Sequence, residues 1–165
     1  MITDADVVAA VQLACDANNI SELFPLIQIE WNSRFTRRMG DGVLYRGPDG
    51  KPYKARIRLS IPLFQRATES EQLNTVYHEA CHIITFAKFG RVQAHGWQWK
   101  SCMLRCGETP KRCHNVDRSG LLRRTQYYTA VCNCENGLQI SKIIYNRIKQ
   151  GVKYRCRTCK AQLVV

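Results

Sequence analysis

The stretch VYHEACHIITFAKFGRVQAHG, residues 76–96, leaves the chain little freedom in how it folds. On a helix at about 100° per residue, Leu73, Val76, Tyr77, Ala80, Ile83, Ile84 and Ala87 form one apolar stripe. His78 and His82 fall on the opposite side, one turn apart, where side chains at i and i+4 meet. Thr85 and Phe89 share that side, and an aromatic there points to a covered cleft rather than open water. The spacing predicts a helix over 69–89, with Gly90 as its stop. One side of it must be buried in a core and the other must border a site.

Two neutral imidazoles one turn apart can hold a single Zn²⁺, and Glu79 beside the first sits off that axis, within reach of a water's proton. A catalytic zinc keeps three protein ligands and one open position. The position six residues after His82 is Lys88, which rules out one common spacing of the third ligand. A distant carboxylate is another option, and Glu108 is the candidate. His95 is the better one. The turn at Gly90 lets the chain return, His95 then opens a helix predicted over 95–106, and Gly96 keeps the backbone slim beside the metal.

The rest of the chain predicts an α+β fold. DADVVAAVQLACDANN, capped by Thr3 or Asp4, reads as a helix over 4–18, and LIQIEWNSRF as a strand. Two strand-like runs flank the turn signal Gly47-Pro48-Asp49-Gly50 and read as a hairpin. In ARIRLS the cations Arg56 and Arg58 alternate with apolar residues, as an edge strand with one wet face would; they are candidates to flank a substrate chain added to the sheet. Trp97 and Trp99 read as packing under the histidine site.

Nine cysteines, an odd number, argue against a closed disulfide framework. The N-terminus is acidic where a secretory leader is basic, and no apolar run reaches the roughly 20 residues that span a bilayer. The expected compartment is therefore reducing: cytoplasmic, or associated with the nucleoid or nucleus. There, Cys132, Cys134, Cys156 and Cys159 form two close pairs 22 residues apart, suited to a closed, structural Zn²⁺ site with short strands around it. Cys132-x-Cys134 is tighter than the usual C-x-x-C. Cys102, Cys106, Cys113 and His114 could make a further metal site, but Cys102 and Cys106 at i, i+4 spacing read better as packed thiols and His114 as a loop histidine; Cys15 and Cys81 read as small apolar residues.

The formal charge of +12 is segregated. Residues 1–33 carry five acidic and no basic side chains, whereas residues 109–165 carry twelve basic and two acidic ones. Such asymmetry predicts a polyanionic partner at one end, nucleic acid above all. Lys142, Arg147, Lys149, Lys153, Arg155, Arg157 and Lys160 are the candidate DNA contacts, interleaved with Tyr145 and Tyr154, a composition suited to single-stranded or junction-containing DNA.

The set HEACH, FGRVQAHGWQW, PKRCH and a cysteine-paired tail resembles the SprT-like, or Spartan-type, zinc metalloproteases. The motifs cover about the last 90 residues; the N-terminal part agrees in element order. The resemblance implies a zincin-like protease core over 1–125 and a zinc-ribbon-like, DNA-contacting module over 126–165. It implies one catalytic Zn²⁺ on His78, His82 and His95, Glu79 as the catalytic carboxylate, and one structural Zn²⁺ on the four cysteines. His114 matches a position where relatives carry histidine, near the cleft, as an oxyanion stabiliser or a group supporting the ligands. The implied activity is hydrolysis of DNA-associated proteins, DNA–protein crosslinks included, by a monomer with no membrane partner. Two readings stand beside it: a nucleic-acid-binding zinc protein with an inactive or regulatory HExxH site, and a general peptidase unconnected with DNA.

Overall fold

A computed structural model of the chain describes residues 1–121, 126–134 and 137–165. They form two compact units, Met1–Leu122 and Arg123–Val165, in an α+β architecture of helices and small sheets.

In the first unit, α1 (Asp4–Ala17) and α3 (Glu69–Phe89) both begin with a capping box. Thr3 and Thr68 each accept from the backbone N–H three residues on, and Asp6 and Glu71 reach back to the cap N–H groups. The predicted bounds of both helices hold to within a residue. A three-stranded sheet packs on them, in the order β1 (Ile27–Asn32), β3 (Pro52–Ser60), β2 (Gly40–Arg46). β1 runs parallel to β3 and β2 antiparallel to it, so β2 and β3 are the expected hairpin. Ala55, Ile57 and Leu59 enter the core with Val7, Val11, Val76, Ile83 and Ile84. A 3₁₀ turn (Ser21–Leu26) and the short α2 (Ile61–Phe64) join these elements, and buried Gln72 ties them together by bonds to Ile2, Phe64 and Ala67.

The edge-strand expectation for Arg56 and Arg58 fails, because β3 is the central strand. Their alternation is real, but acidic side chains on both neighbouring strands occupy them. Arg58 donates to both Asp41 carboxylate oxygens on β2, at 2.8 and 2.7 Å, and Arg56 lies 4.0 Å from Glu30 on β1. The free edge nearest α3 is that of β2.

Two glycines let β2 approach α3. A Cβ at Gly42 would stand 2.6 Å from the Glu79 carbonyl oxygen, and one at Gly40 would stand 2.8 Å from Glu79 Cγ. At the far end, Arg46 donates to the Phe86 and Ala87 carbonyls in the last turn of α3, where a cation also meets the negative end of the helix dipole. Gly42→Val is therefore expected to destabilise the first unit by about 1–3 kcal/mol. The readout is the urea midpoint by tryptophan fluorescence, since Trp31, Trp97 and Trp99 all lie in this unit.

The second unit is a two-stranded sheet, β4 (Tyr127–Ala130) with β5 (Leu138–Ser141), followed by α5 (Lys142–Lys149) and a cysteine turn. The sequence reading expected strands throughout this end, and α5 corrects it. Ser141 precedes the helix, Ile144 and Ile148 share one face and pack against the small core, and Gly151 with φ +90° follows its end. No helix of the described residues is long and apolar enough to cross a membrane.

Candidate metal centre and its cleft

The site is built from α3 and the turn that follows it. His78, His82 and His95 bring their Nε2 atoms within 3.0–3.1 Å of one another. Three Nε2 atoms so close cannot all be satisfied by one another, because in a neutral ring Nε2 is either donor or acceptor and at least two of the three must be alike. The same spacing suits three corners of one coordination sphere with metal–nitrogen bonds of about 2.0–2.1 Å. The donor set therefore fits a zinc-like ion. His95 reaches it from a left-handed backbone, φ +59°, a conformation uncommon outside glycine and associated with functional sites. It lies just before α4 (Trp97–Arg105), not inside it as the sequence suggested.

The rings are held from outside and below. His78 Nδ1 lies 3.2 Å from the Lys111 carbonyl, a bond that places the proton on Nδ1 and leaves Nε2 free to ligate. Trp99, fully buried, forms the floor, with ring centroids 4.7 Å from His78, 5.6 Å from His82 and 4.7 Å from His95. Trp97 does not share that role. It is 68% exposed and stands 6.0 Å from Phe89, itself 47% exposed, whereas Thr85 is buried. Burial, with the neighbouring rings, lowers His78 to about 4 and His82 to about 3; burial and Arg112 lower His95. All three stay neutral at pH 7, as ligands must.

Glu79 is 8% exposed and faces β2 from the flank of the apolar stripe, one turn before Ile83, which meets Gly42 as well. Burial, then the Asp41 charge, pushes its carboxyl up to about 8, partly offset by the Gly42 backbone and Arg38. The consequence for the metal-free chain has a definite sign. The unfolded chain releases this proton near 4.5 and the folded chain holds it to about 8, so folding stability falls as pH rises across that window. Metal-stripped Glu79→Gln is expected to melt several degrees above the metal-stripped wild type at pH 8 and close to it at pH 5. Equal gaps at both values would contradict this.

His78 and Glu79 open onto a cleft of about 520 Å³, lined also by Arg37, Arg38, Lys111, Arg112 and His114. His114 is half-buried, its Nδ1 has no partner among the described residues, and burial lowers its pKa. Glu108 is not at the metal site: it accepts from Asn74 at 2.7 Å. The four-residue set of Cys102, Cys106, Cys113 and His114 does not assemble either. Cys102 is buried, Cys106 packs 3.9 Å from buried Cys81, and Cys113 is exposed; Cys15 is buried as well.

In the second unit the Cys132, Cys134, Cys156 and Cys159 sulfurs all lie within 4.8 Å of one another, so this group too could hold a metal. The Cys159 and Thr158 backbone N–H groups donate to Cys156 and pull its thiol down to about 6, while the neighbouring sulfurs, Cys159 first, push Cys134 up to about 12. A cation is what allows all four to be thiolates together. Among the described residues, these two groups are the ones of three or more histidine, cysteine or carboxylate side chains that converge. The seven candidate DNA cations are all exposed, with none in an ion pair among the described residues; Arg147 donates to Tyr154, and Tyr128 and Tyr145 stack at 4.2 Å.

Residues 10–119 match the family model described as the SprT-like family, a span that contains the three histidines and Glu79 and ends before the four cysteines. The chain is 32% identical over 111 residues to Protein SprT of Pseudomonas putida (strain GB-1), covering 66% of each protein. To Protein SprT of Pseudomonas fluorescens it is 34% identical over 111 residues, with the same coverage. To Protein SprT of Proteus mirabilis it is 32% identical over 109 residues, covering 65% of this chain and 64% of that one. The match thus spans just under two thirds of these relatives' length. A helix-borne histidine pair, its adjoining carboxyl and the returning His95 all lie inside the matched span, and the chain belongs to the SprT-like family.

Proposed function

We propose that this chain is a zinc-dependent endopeptidase with a zincin-like core, acting on proteins associated with DNA. The observation that carries the proposal is Glu79: a buried carboxyl beside three converged imidazoles, on a helix that opens into a cleft. A protein that only binds nucleic acid has no use for a base there.

The chemistry that a zinc ion supplies in such a site is a lowered water pKa and a polarised carbonyl. Glu79 takes the proton of the attacking water and returns it to the leaving amine, the nearby cation favouring its ionised form at the start. The Lys111 carbonyl and Trp99 keep the imidazoles in place, so the site does not reorganise during the reaction. The free edge of β2 pairs with an extended substrate chain beside Glu79, the role that the sequence reading gave to β3. His114, with an unpartnered nitrogen in the same cleft, faces the carbonyl oxygen as charge develops on it.

The DNA part of the proposal rests on charge. The cations from Lys142 to Lys160 bind phosphates, and the four cysteines keep that unit folded around a second, structural zinc. Substrate choice then follows from proximity on DNA, crosslinked proteins included, rather than from a strict sequence preference. The test is cleavage of a basic DNA-binding protein by the full chain, with and without single-stranded DNA. Cleavage that depends on DNA and on Glu79 supports the proposal. Zinc and DNA binding with no cleavage would turn it to a binding protein with a silent HExxH site. Cleavage with no DNA affinity at low salt would leave a general peptidase.

A further inference from the structure

Phe89 and Trp97 stand exposed beside the metal centre, from two different elements. Phe89 ends α3, two turns beyond His82 on the same side, and Trp97 opens α4, two residues after His95. Their ring centroids lie 6.0 Å apart at 60°, with 47% and 68% of each residue in solvent. They line a small crevice of their own, distinct from the cleft at His78 and Glu79, and two aromatic rings left open together form a contact surface.

Charge selects what covers it. From Ala80 to Gly107 the chain holds Lys88, Arg91, Lys100 and Arg105 and no acidic residue at all. All four cations are exposed, and none forms a side-chain ion pair among the described residues. Arg105 and Lys88 line the same crevice as the two rings. An apolar peptide side chain would need the rings and not the cations. A strand of unpaired bases and phosphates needs both.

We propose that this patch is a second single-stranded nucleic-acid contact, on the catalytic unit itself. One base stacks on Trp97 against Phe89, and the flanking phosphates lie on Arg91, Lys100 and Arg105. The proposal rests on the nucleic-acid part of the function proposed above, but it adds a site that the charge of the second unit does not require. Its effect is to hold the strand along the same helix that carries His78, Glu79 and His82.

The test uses the full, metal-loaded chain and a labelled dT oligomer of about ten nucleotides, within the usual site size. The oligomer is expected to quench tryptophan emission through exposed Trp97. Trp97→Ala is expected to weaken binding by about 5–100-fold, with Trp97→Phe restoring most of it. The charge-reversing pair Lys100→Glu and Arg105→Glu, outside the core, should weaken binding and flatten its salt dependence. Arg155→Glu with Arg157→Glu in the second unit should weaken binding yet keep the quenching at saturation.

If Trp97→Ala and the Lys100/Arg105 pair bind dT like the wild type while the Arg155/Arg157 pair does not, this site is overturned and the DNA reading survives. If the wild type fails to bind dT at low salt, both fall together. If Trp97→Ala binds dT normally but raises KM for peptides with apolar side chains, the patch is a substrate subsite and the proposal is wrong.

Discussion

Glu79→Gln should lose cleavage of any protein substrate by about 10²–10⁴-fold or more, the range for removing a positioned general base. It should still bind a metal ion at His78, His82 and His95. The amide keeps the shape of the carboxyl where β2 presses on it, so Gly40 and Gly42 still accommodate the side chain. What the amide cannot do is accept and return a proton. Single-turnover assays with matched metal content separate this from loss of the ion. A variant that kept its metal and cut within threefold of the wild type would remove Glu79 from the chemistry. His82→Ala should lose metal and activity together, because two imidazoles fall one short of the three protein ligands such a site needs.

The second large effect concerns the other unit. Among the described residues its buried apolar side chains are Ala130, Ile140, Leu163 and Cys156, and the last of these is itself a candidate ligand. So small a core does not hold a short chain without a staple, whereas a structural zinc contributes about 10–16 kcal/mol of apparent binding energy. Cys156→Ser, or chelation under reducing conditions, is expected to unfold this unit. Limited proteolysis would then cut beyond residue 126, and in Cys156→Ser, which leaves the histidine site loaded, the urea midpoint from the first unit's tryptophans would stay unchanged. Persistent protection in the metal-free state would show that the sheet and α5 suffice alone.

The histidine-bearing helix α3 was legible almost to the residue because every signal agreed: a Thr68–Glu71 capping box, one apolar stripe, and Gly90 at the stop. The third histidine was legible from the return of the chain, although the left-handed backbone of His95 was not. Arg56 and Arg58 show where pattern runs out. Alternation reports which face of a strand is wet, not which strands lie beside it, and their partners Glu30 and Asp41 are distant in sequence. Trp97 and Trp99 could not both lie beneath the site, since residues two apart on a helix point about 200° away from each other. That geometry was available in the sequence. At α5 the close cysteine pairs suggest strands, whereas Ser141, the Ile144–Ile148 spacing and Gly151 mark the helix that forms. The close approach of Gly40 and Gly42 to Glu79 had no sequence signal, because it depends on how a strand and a helix meet.

That approach also sets what the proposed protease would grasp. β2 is clamped along α3 at both ends, by glycine contact beside Glu79 and by Arg46 hooked onto the last helical turn. A chain laid on its outer edge is gripped through peptide groups, about 3.3 Å per residue, with the helix serving as a fixed ruler. The grip requires several consecutive residues free of their own hydrogen bonds. Compact folded proteins would thus be spared whatever their sequence, and loosened or tethered ones would be cut.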